Sequence, residues 1–235
     1  LLEPLLCYTI FMNNRLPYLK KKLYKRKCTV ESIDYDVDFP MTVSATVRCP
    51  IELRKLNLNE NTRSSLIELI LEHGDEQNHA SNVKADMTDW FMHTRYKEFK
   101  ELSIFAEAVA NELFNADITI YTQECWGAVY RKGEETIKHT HWGNLWSWCY
   151  YLKVPSDSPP FRFEDIGEGK TSSFDIYPQE DDLIMFPSWI SHSVPVSQSD
   201  EERIMVAGNI QLNNKPKSQD IDYDSIMQTM VEKYI

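Results

Sequence analysis

The spacing of apolar residues along the chain changes near residue 117. Before that point, apolar residues recur at helical spacing in two segments. The first helix is predicted from Asn61 to Gly74 and the second, longer one from about Tyr96 to Phe114. Residues 75–90 between them are polar and rich in turn-forming residues, and they are predicted to form a loop. The residues predicted to lie on the buried helix faces are Leu66, Leu69, Ile70, Phe99, Leu102, Phe105, Val109 and Leu113.

After residue 117 the pattern becomes a series of short, apolar, strand-like runs separated by turns such as Lys132-Gly133 and Ser158-Pro159-Pro160. About eight short strands within about 95 residues are typical of a double-sheet jelly roll or barrel. The predicted class is therefore mainly β with N-terminal helices (α+β), built as a jelly roll. The predicted strands are Ile118–Gln123, Trp126–Arg131, Trp146–Val154, Phe161–Phe163, Ser173–Ile176, Leu183–Phe186, Ser193–Ser197 and Ile204–Ile210.

The two ends of the chain have weaker patterns. Alternation of apolar and polar residues from Thr29 to Pro50 predicts one or two early strands, and helical spacing over 224–235 predicts a short C-terminal helix. Residues 1–28 are strongly basic and are predicted to be a poorly ordered tail. We therefore expect one domain over 29–235. It would comprise helical support at about 61–114, a jelly-roll core at about 118–210 and the C-terminal helix.

Composition and charge restrict the class of protein. A chain of 235 residues with 42% hydrophobic content can bury one sizeable core. The net charge of −11 disfavours nonspecific binding to nucleic acid or to anionic membranes. Five cysteines, an odd number without a Cys-x-x-Cys pair, favour reduced thiols in a cytoplasmic protein. The apolar start, Leu1–Met12, is too short to span a bilayer and lacks the charge order of a signal peptide, so no membrane segment is predicted.

The candidate chemistry lies in three separated positions of the predicted β core. His139 and His141 are spaced i, i+2, which places both side chains on one face of an extended segment. A third histidine, His192, follows the run Phe186-Pro187-Ser188-Trp189 and can close the pair into a facial metal triad. Arg203 follows on another apolar strand. A His-x-His pair alone also occurs on exposed strands, but the ordered combination of these motifs is much more specific.

These motifs resemble the 2-oxoglutarate/Fe(II)-dependent dioxygenase superfamily, and within it a bacterial and phage branch that is related to prolyl-hydroxylase-like enzymes and has a His-x-His motif. The resemblance covers roughly Trp126 to Asn209, about a third of the chain, with the motifs in the same order and at matching spacings. The matching residues are Trp126, His139-Thr140-His141, Ser147, Tyr150-Tyr151, Val154-Pro155, Phe186-Pro187-Ser188-Trp189, His192, Val194-Pro195, Glu202-Arg203-Ile204 and Asn209.

The resemblance implies a double-stranded β-helix that binds Fe(II) at the mouth of the barrel. The implied metal ligands are His139, His141 and His192. Arg203 would bind the far carboxylate of the cosubstrate 2-oxoglutarate, because a guanidinium offers a bidentate, always-charged fork. Tyr151, with Tyr130 as a weaker candidate, would add a hydroxyl to that contact. The implied reaction hydroxylates a C–H bond of a peptidyl side chain or a small molecule and releases succinate and CO2. Neither the substrate nor the oligomeric state can be predicted from the sequence.

The sequence departs from the family pattern at two positions. The usual triad has two histidines and one carboxylate, and here His141 stands in the carboxylate position. Either iron is held by three histidines, or only one of His139 and His141 binds it and the other lies in the second shell. Met205 stands where related sequences often carry a small hydroxyl residue. Nearby carboxylates that lack the family spacing are Glu134, Glu135, Glu164 and Asp165.

Two other functions compete with the oxygenase. A three-histidine metal enzyme of the cupin type needs no 2-oxoglutarate, and in that class Arg203 has no fixed role. A non-catalytic jelly roll could instead bind a sugar, a peptide or a protein, with its histidines purely structural. Metal analysis and a cosubstrate binding test separate these three functions.

Overall fold

The computed structural model describes residues 7–11, 44–74, 81–114, 119–166 and 172–213. The chain divides into two compact units, Leu1–Cys49 and Pro50–Ile235. In the first unit, β1 (Cys7–Phe11) pairs antiparallel with β2 (Ser44–Arg48). Strand β1 lies within the predicted basic tail, and β2 lies within the region predicted to contain early strands. The rest of that tail, residues 29–43 and the predicted helix at 224–235 lie outside the described residues, so the predicted division into domains stays a prediction.

The second unit contains the predicted helices and the jelly roll. Its two sheets are both antiparallel. Its elements are β3 (Glu52–Lys55), α1 (Glu60–His73), β4 (Val83–Lys84), β5 (Asp86–Met87), α2 (Met92–Arg95), α3 (Lys97–Phe114), β6 (Ile120–Tyr130), β7 (Glu135–His139), β8 (Trp146–Lys153), β9 (Phe161–Glu164), β10 (Ser173–Ile176), β11 (Asp182–Pro187), β12 (His192–Val194) and β13 (Arg203–Leu212).

The two predicted helices are confirmed almost at their predicted ends. Helix α1 begins after Asn59, whose side-chain oxygen accepts a hydrogen bond from the Thr62 N–H at 2.9 Å, and Gly74 follows its last residue. The predicted loop over residues 75–90 is only partly correct, because β4 and β5 lie in it. Short strands of this kind carry almost no periodic signal, since two residues cannot display an alternation. No helix in the described ranges is both long and apolar enough to cross a bilayer.

The jelly-roll prediction is confirmed by the two sheets. The larger sheet has the strand order β3-β11-β8-β13-β6-β5 and the smaller has the order β10-β9-β12-β7-β4. Two predicted runs, Ile118–Gln123 and Trp126–Arg131, are one continuous strand, β6. Strand β7 was not among the eight predicted runs, because Lys138 and Glu135 interrupt its apolar pattern. It is nevertheless the strand that carries the first candidate ligand.

The larger sheet presents different residues on its two faces. One face packs against the helices, and Gly127 permits that contact, because a Cβ at this position would lie 2.3 Å from Cγ1 of Ile70 on α1. Side chains at alternate positions along β6, β8 and β13 point the other way, toward the smaller sheet. The buried sheet residues on the helix side are Cys125, Val129, Trp146, Trp148, Tyr150, Leu152, Leu183, Met185, Ile204, Val206 and Ile210.

Candidate metal centre

A β-bulge in β7 turns His139 toward the interior of the barrel. His192 pairs with His139 and Val194 pairs with Thr136, so β7 has one residue more than β12 between the two pairs. In a regular strand, Thr136 and His139 would face opposite sides. With the extra residue, Ile137 and Lys138 are both exposed, while Thr136 is buried and His139 is half-buried. Bulges commonly re-aim a side chain next to an active site, and this one brings the first imidazole into the barrel.

His141 lies beyond the end of β7, on a short loop. Its backbone N–H donates to the carbonyl oxygen of Ser188 at 2.8 Å, which ties this loop to the turn between β11 and β12. His192, the first residue of β12, follows that turn. The three predicted metal ligands therefore come from three different backbone settings: a bulged strand end, a loop and a strand start.

The three imidazoles meet at one point. His139, His141 and His192 each offer a ring nitrogen, and these nitrogens all lie within 4.8 Å of one another. The Nε2 atoms of His139 and His141 are 3.2 Å apart. Ligands bound side by side at about 2.1 Å from one ion are separated by about this distance. Phe161 stacks on the His192 ring at 5.3 Å between centroids, which fixes that ring from one side.

Backbone carbonyls set the orientation of two of the rings. His139 Nδ1 lies 2.7 Å from the carbonyl oxygen of Ile137, and His192 Nδ1 lies 3.0 Å from that of Ile190. A carbonyl only accepts, so each Nδ1 carries the hydrogen and each Nε2 is left with a free lone pair. Such a second partner is the usual arrangement behind a metal-bound histidine.

Burial keeps the three imidazoles neutral. Desolvation lowers the pKa of His141 from 6.5 to about 3, and the neighbouring His139 adds to that decrease. Desolvation also lowers the pKa of His139, against the opposing hydrogen bond to the Ile137 carbonyl. The pKa of His192 lies well below its usual range, mainly because the ring is buried. Neutral imidazole is the form that binds a metal ion, so protonation of these rings does not oppose metal binding at neutral pH.

The donor set fits a transition-metal ion rather than a hard cation. Three neutral imidazoles suit Fe, Zn, Cu or Ni, whereas Mg²⁺ and Ca²⁺ need oxygen ligands. Among the described residues, no carboxylate joins this group of ligand atoms. Glu134 accepts from the Arg131 backbone N–H, and Glu164 accepts from the Ser193 hydroxyl. The carboxylates considered from the sequence thus have other partners or lie apart from the cluster.

A cavity joins the histidines to the middle of the larger sheet. Its floor includes small side chains, among them Cys149 and Ala207, which leave room above β8 and β13. It reaches Tyr130 and Met205 at the end away from His141. The lining residues are Val83, Trp126, Tyr130, Thr136, His139, His141, Ser147, Trp148, Cys149, Phe161, Phe186, His192, Val194, Met205, Ala207 and Gly208.

Arg203 is buried beside this cavity without a counter-ion. Only 2% of its surface is exposed, and within the described part of the chain no carboxylate forms an ion pair with it. One guanidinium nitrogen, Nη1, donates to the Pro159 carbonyl at 3.0 Å, and Nη2 lies 3.9 Å from the Met205 sulfur, a weak acceptor. The third, Nε, has no partner in the described structure. An uncompensated buried charge is costly, so this geometry fits an anionic group bound beside Arg203.

Two tyrosines flank the guanidinium of Arg203. Their rings lie 5.1 Å from its central carbon, a distance typical of cation–π contacts. The Tyr130 hydroxyl bonds the Thr136 hydroxyl at 2.7 Å, whereas the Tyr151 hydroxyl has no described partner. Burial raises the pKa of both phenols, and Arg203 only partly opposes it, so both remain protonated. Of the two, Tyr151 therefore has the hydroxyl that is available to a ligand.

The structure brings the three predicted histidines together and places both predicted tyrosines beside Arg203, while the role of each residue stays a prediction. The sequence interpretation did not consider several residues that contact them. Phe161 was seen only as part of a strand, and Thr136 was not noticed. The role of Glu124 was also missed, although it contacts Asn209 in the wall of the site. No sequence signal marks these residues, because each acts through a neighbour on another strand.

Comparison with known families and structures agrees with this fold. Residues 124–209 match the model of a family described as putative 2OG-Fe(II) oxygenase. No curated protein matches the sequence.

Solved structures of similar fold are found at low sequence identity. The viral collagen prolyl hydroxylase of Paramecium bursaria Chlorella virus-1, in its 2OG complex, is 15% identical with a TM-score of 0.54, covering 68% of this chain and 94% of its own. A Pseudomonas putida prolyl-4-hydroxylase is 15% identical with a TM-score of 0.53, covering 70% and 93%. The α-ketoglutarate-dependent epimerase SnoN from nogalamycin biosynthesis is 13% identical with a TM-score of 0.55, covering 68% and 77%. The predicted resemblance and the predicted double-stranded β-helix are confirmed.

Proposed function

We propose that this chain is a 2-oxoglutarate/Fe(II) oxygenase that holds Fe(II) on His139, His141 and His192 and binds 2-oxoglutarate at Arg203. The family match supplies the enzyme class. The roles of the individual residues are our proposal, and so is hydroxylation as the reaction.

One observation carries the proposal: three imidazoles line a cavity, and a buried guanidinium without a described counter-ion lies behind a wall residue of the same cavity. At one side, the ring nitrogens of the three imidazoles converge. At the other, Arg203 is buried with no described carboxylate to neutralise it and lies against Tyr130, which lines the cavity. A dianionic molecule with a metal-chelating end and a free carboxylate satisfies both sites at once. This is the chemistry of a 2-oxo dicarboxylate.

When bound, Fe(II) with 2-oxoglutarate and dioxygen supplies the oxidation of a C–H bond, with release of succinate and CO2. The chain's own residues bind and orient the groups. Arg203 holds the far carboxylate through Nε and Nη2, after the weak Met205 sulfur contact is exchanged for a carboxylate oxygen. The free Tyr151 hydroxyl donates to the same carboxylate. Tyr130 stays bonded to Thr136 and supplies its ring face to Arg203.

Apolar side chains keep water from the metal side of the cavity. Phe186 packs edge-on to His192 at 4.8 Å between centroids, and Phe161 stacks on the His192 ring at 5.3 Å and also contacts Phe186. Exclusion of water strengthens every charge interaction inside the site and suppresses side reactions. The protein therefore contributes orientation and desolvation, while the bound metal contributes the oxidising chemistry.

We propose a peptidyl side chain or a small molecule as the substrate. Two of the structural neighbours are prolyl hydroxylases, and another is an epimerase of nogalamycin biosynthesis. Trp142 and Trp189 are 76% and 42% exposed, and each directly follows a residue of the tie between His141 and Ser188. Such indoles can hold an apolar or ring-shaped group near the metal. We also propose a cytoplasmic location, which rests on the cysteine pattern alone.

A three-histidine enzyme of the cupin type is the second candidate. The donor set favours it, because no carboxylate joins the three imidazoles in the described structure. The buried, uncompensated Arg203 disfavours it, since an enzyme without an acidic cosubstrate gains nothing from that burial. A non-catalytic binding module explains neither feature.

An anaerobic titration tests the proposal without a substrate. Fe(II) is added to the metal-free protein and 2-oxoglutarate follows, while the weak visible charge-transfer band of an iron–oxoacid chelate is monitored. We expect the band to appear at one equivalent of iron. Tight iron binding without the band would favour the cupin-type enzyme over the oxygenase. If iron did not bind, both metal enzymes would be wrong and the non-catalytic binding module would be favoured.

A further inference from the structure

His141 differs from the other two histidines in what stands behind its ring. His139 and His192 each face a backbone carbonyl, but His141 Nδ1 faces the side-chain amide of Asn209, at 3.4 Å from Nδ2. Asn209 is fully buried on β13. Its neighbours across the sheet are Glu124 on β6 and Ser147 on β8. The Nδ1 atom of the third imidazole therefore contacts a side chain, whereas the Nδ1 atoms of the other two contact the main chain.

The orientation of the Asn209 amide is fixed by its two strand neighbours. Its Nδ2 lies 2.8 Å from a carboxylate oxygen of Glu124, and its Oδ1 lies 2.8 Å from the Ser147 hydroxyl. A carboxylate only accepts hydrogen bonds, so the nitrogen must face Glu124. The Ser147 hydroxyl also contacts the Ser188 hydroxyl at 2.8 Å, so Ser188 is the last group of this hydrogen-bonded series. With Glu124 ionised, the opposite orientation would set an amide oxygen against a carboxylate oxygen.

This orientation determines which nitrogen of His141 carries the hydrogen. The second N–H of the Asn209 amide points to the His141 Nδ1, which must then accept. The ring hydrogen is consequently on Nε2. That atom lies 3.2 Å from the His139 Nε2, whose own hydrogen is on Nδ1 and which is therefore free to accept. Every polar hydrogen in this chain of groups has an acceptor when no metal is bound.

We propose that Glu124 and Asn209 are positioning residues that hold His141 as its Nε2–H tautomer, so that this imidazole becomes a metal ligand only when the Asn209 amide turns. Binding a metal through Nε2 requires the hydrogen to move to Nδ1. On Nδ1 this hydrogen would face an N–H of Asn209, and two donors cannot form a hydrogen bond with each other. Turning the amide presents its oxygen to His141, at the cost of the hydrogen bond to Glu124. Metal binding by His141 therefore depends on release of the hydrogen bond between Asn209 and Glu124.

The proposal connects the two alternatives left open for His139 and His141, because His141 is not a ligand before the Asn209 amide turns and is one afterwards. Its consequence for metal binding rests on the proposed metal site. The tautomer of His141, in contrast, is a property of the metal-free protein. His139 and His192 both carry their hydrogens on Nδ1, so each has an Nε2 lone pair for a metal, and that of His139 accepts from His141 until the metal replaces this contact. His141 is recruited as the third ligand when the amide turns.

Nitrogen-15 NMR of the imidazoles in the metal-free protein tests the tautomer directly. In the unsubstituted protein we expect the His141 hydrogen on Nε2, with the signals assigned by their loss in His141→Gln. In Glu124→Gln the new amide can donate as well as accept, so Asn209 can take both orientations and His141 should show both tautomers. A hydrogen on Nδ1 in the unsubstituted protein, or no change in Glu124→Gln, would overturn the proposal.

Co(II) titration in visible light tests the consequence for metal binding. Glu124→Gln should bind Co(II) about tenfold more tightly, which is the scale of effects from residues behind a metal ligand. Glu164→Gln is the matched control. It removes a carboxylate that bonds Ser193, next to His192, and it leaves Asn209 untouched. Loss of negative charge alone should weaken Co(II) binding in both variants. Weaker binding in Glu124→Gln would mean that Glu124 acts through its charge, against the proposal.

The outcomes separate this proposal from the proposed function. If Co(II) binds neither the unsubstituted protein nor the variants, the metal site is wrong, whatever the NMR result. If Co(II) binds and His192→Ala abolishes binding while Glu124→Gln changes neither tautomer nor affinity, the metal site stands and the tautomer control is wrong. Thermal unfolding of the metal-free variants shows whether each has kept its fold.

Discussion

His139 and His192 are direct partners in the antiparallel ladder between β7 and β12, and their ring centroids are 4.3 Å apart. Cross-strand partners place their side chains on the same face of a sheet. The ladder therefore brings together two imidazoles that are far apart in the sequence. His192 is the more buried of the two, with 4% of its surface exposed.

This pairing makes His192 the strongest test of the metal site. His192→Ala should abolish Fe(II) and Co(II) binding, because two residual imidazoles cannot form a facial triad. Metal content after dialysis measures the effect. His93→Ala is the control, since His93 lies on the short helix α2 and is not in the cluster. Full iron occupancy in His192→Ala would show that the triad is wrong.

Arg203→Ala should weaken 2-oxoglutarate binding far more than metal binding. Removal of one partner of a buried charge pair costs about 2 kcal/mol or more, which is at least about thirtyfold in affinity. The charge-transfer titration measures the cosubstrate affinity, and a Co(II) titration measures the metal affinity. Arg162→Ala is the matched control, because Arg162 pairs with Asp175 outside the cavity. Equal losses of both affinities would contradict the role assigned to Arg203.

The two tyrosines beside Arg203 should respond differently to loss of their hydroxyls. Tyr130→Phe removes the bond to Thr136 and should lower the free energy of unfolding by about 1 kcal/mol. Tyr151→Phe removes a hydroxyl without a described partner, so stability should hardly change while 2-oxoglutarate affinity falls about fivefold. Urea unfolding and the charge-transfer titration measure the two effects. The reverse pattern would reassign the carboxylate contact to Tyr130.

The metal-free protein should lose stability as the pH falls below about 6.5. The pKa of each cluster histidine is lower in the folded protein than its ordinary value of 6.5, and that of His141 is about 3. Between these values the unfolded chain binds more protons than the folded one, so the free energy of unfolding rises with pH. Each histidine contributes up to about 1.4 kcal/mol per pH unit.

Urea unfolding in the presence of a chelator, at several pH values between 5 and 8, measures how the free energy of unfolding changes with pH. Above about pH 7.5 these histidines should contribute no further change. In His141→Gln the slope below pH 6.5 should decrease by about one proton. An unchanged slope in that variant would show that His141 is not buried in its neutral form.

Gly208→Ala should destabilise the fold by about 1–3 kcal/mol, the usual range for overpacking. An added Cβ would lie 2.7 Å from the Trp148 indole and 2.8 Å from the Glu124 carbonyl oxygen. Neither can move far, because one is a buried ring and the other is backbone. An unchanged midpoint of urea unfolding would mean that β6 and β13 are less closely packed than described.

Much of the fold followed from local patterns in the sequence. Helix α1 was predicted from an apolar face between Asn61 and Gly74, and α3 from an apolar face of the same kind, while the capping role of Asn59 was seen only in the structure. Strand β10 was predicted with its observed ends, Ser173 and Ile176. Such features can be predicted from the sequence because each depends on residues within a few positions of one another. The merging of two predicted runs into β6 could not be predicted in this way, since the intervening Glu124 has its partner, Asn209, on the neighbouring strand β13.

The sequence by itself determined which residues were candidates for the site. The chemical identity and order of His139, His141, His192 and Arg203 were enough to predict them, the three histidines do lie together, and the role of each stays a prediction. Only the tertiary structure decided how these side chains are placed. Three features depend on register between distant strands: the bulge that aims His139, the burial of Arg203 away from every described carboxylate, and the contact of Asn209 with His141. Register is set by the packing of the whole sheet, so local spacing cannot specify these features.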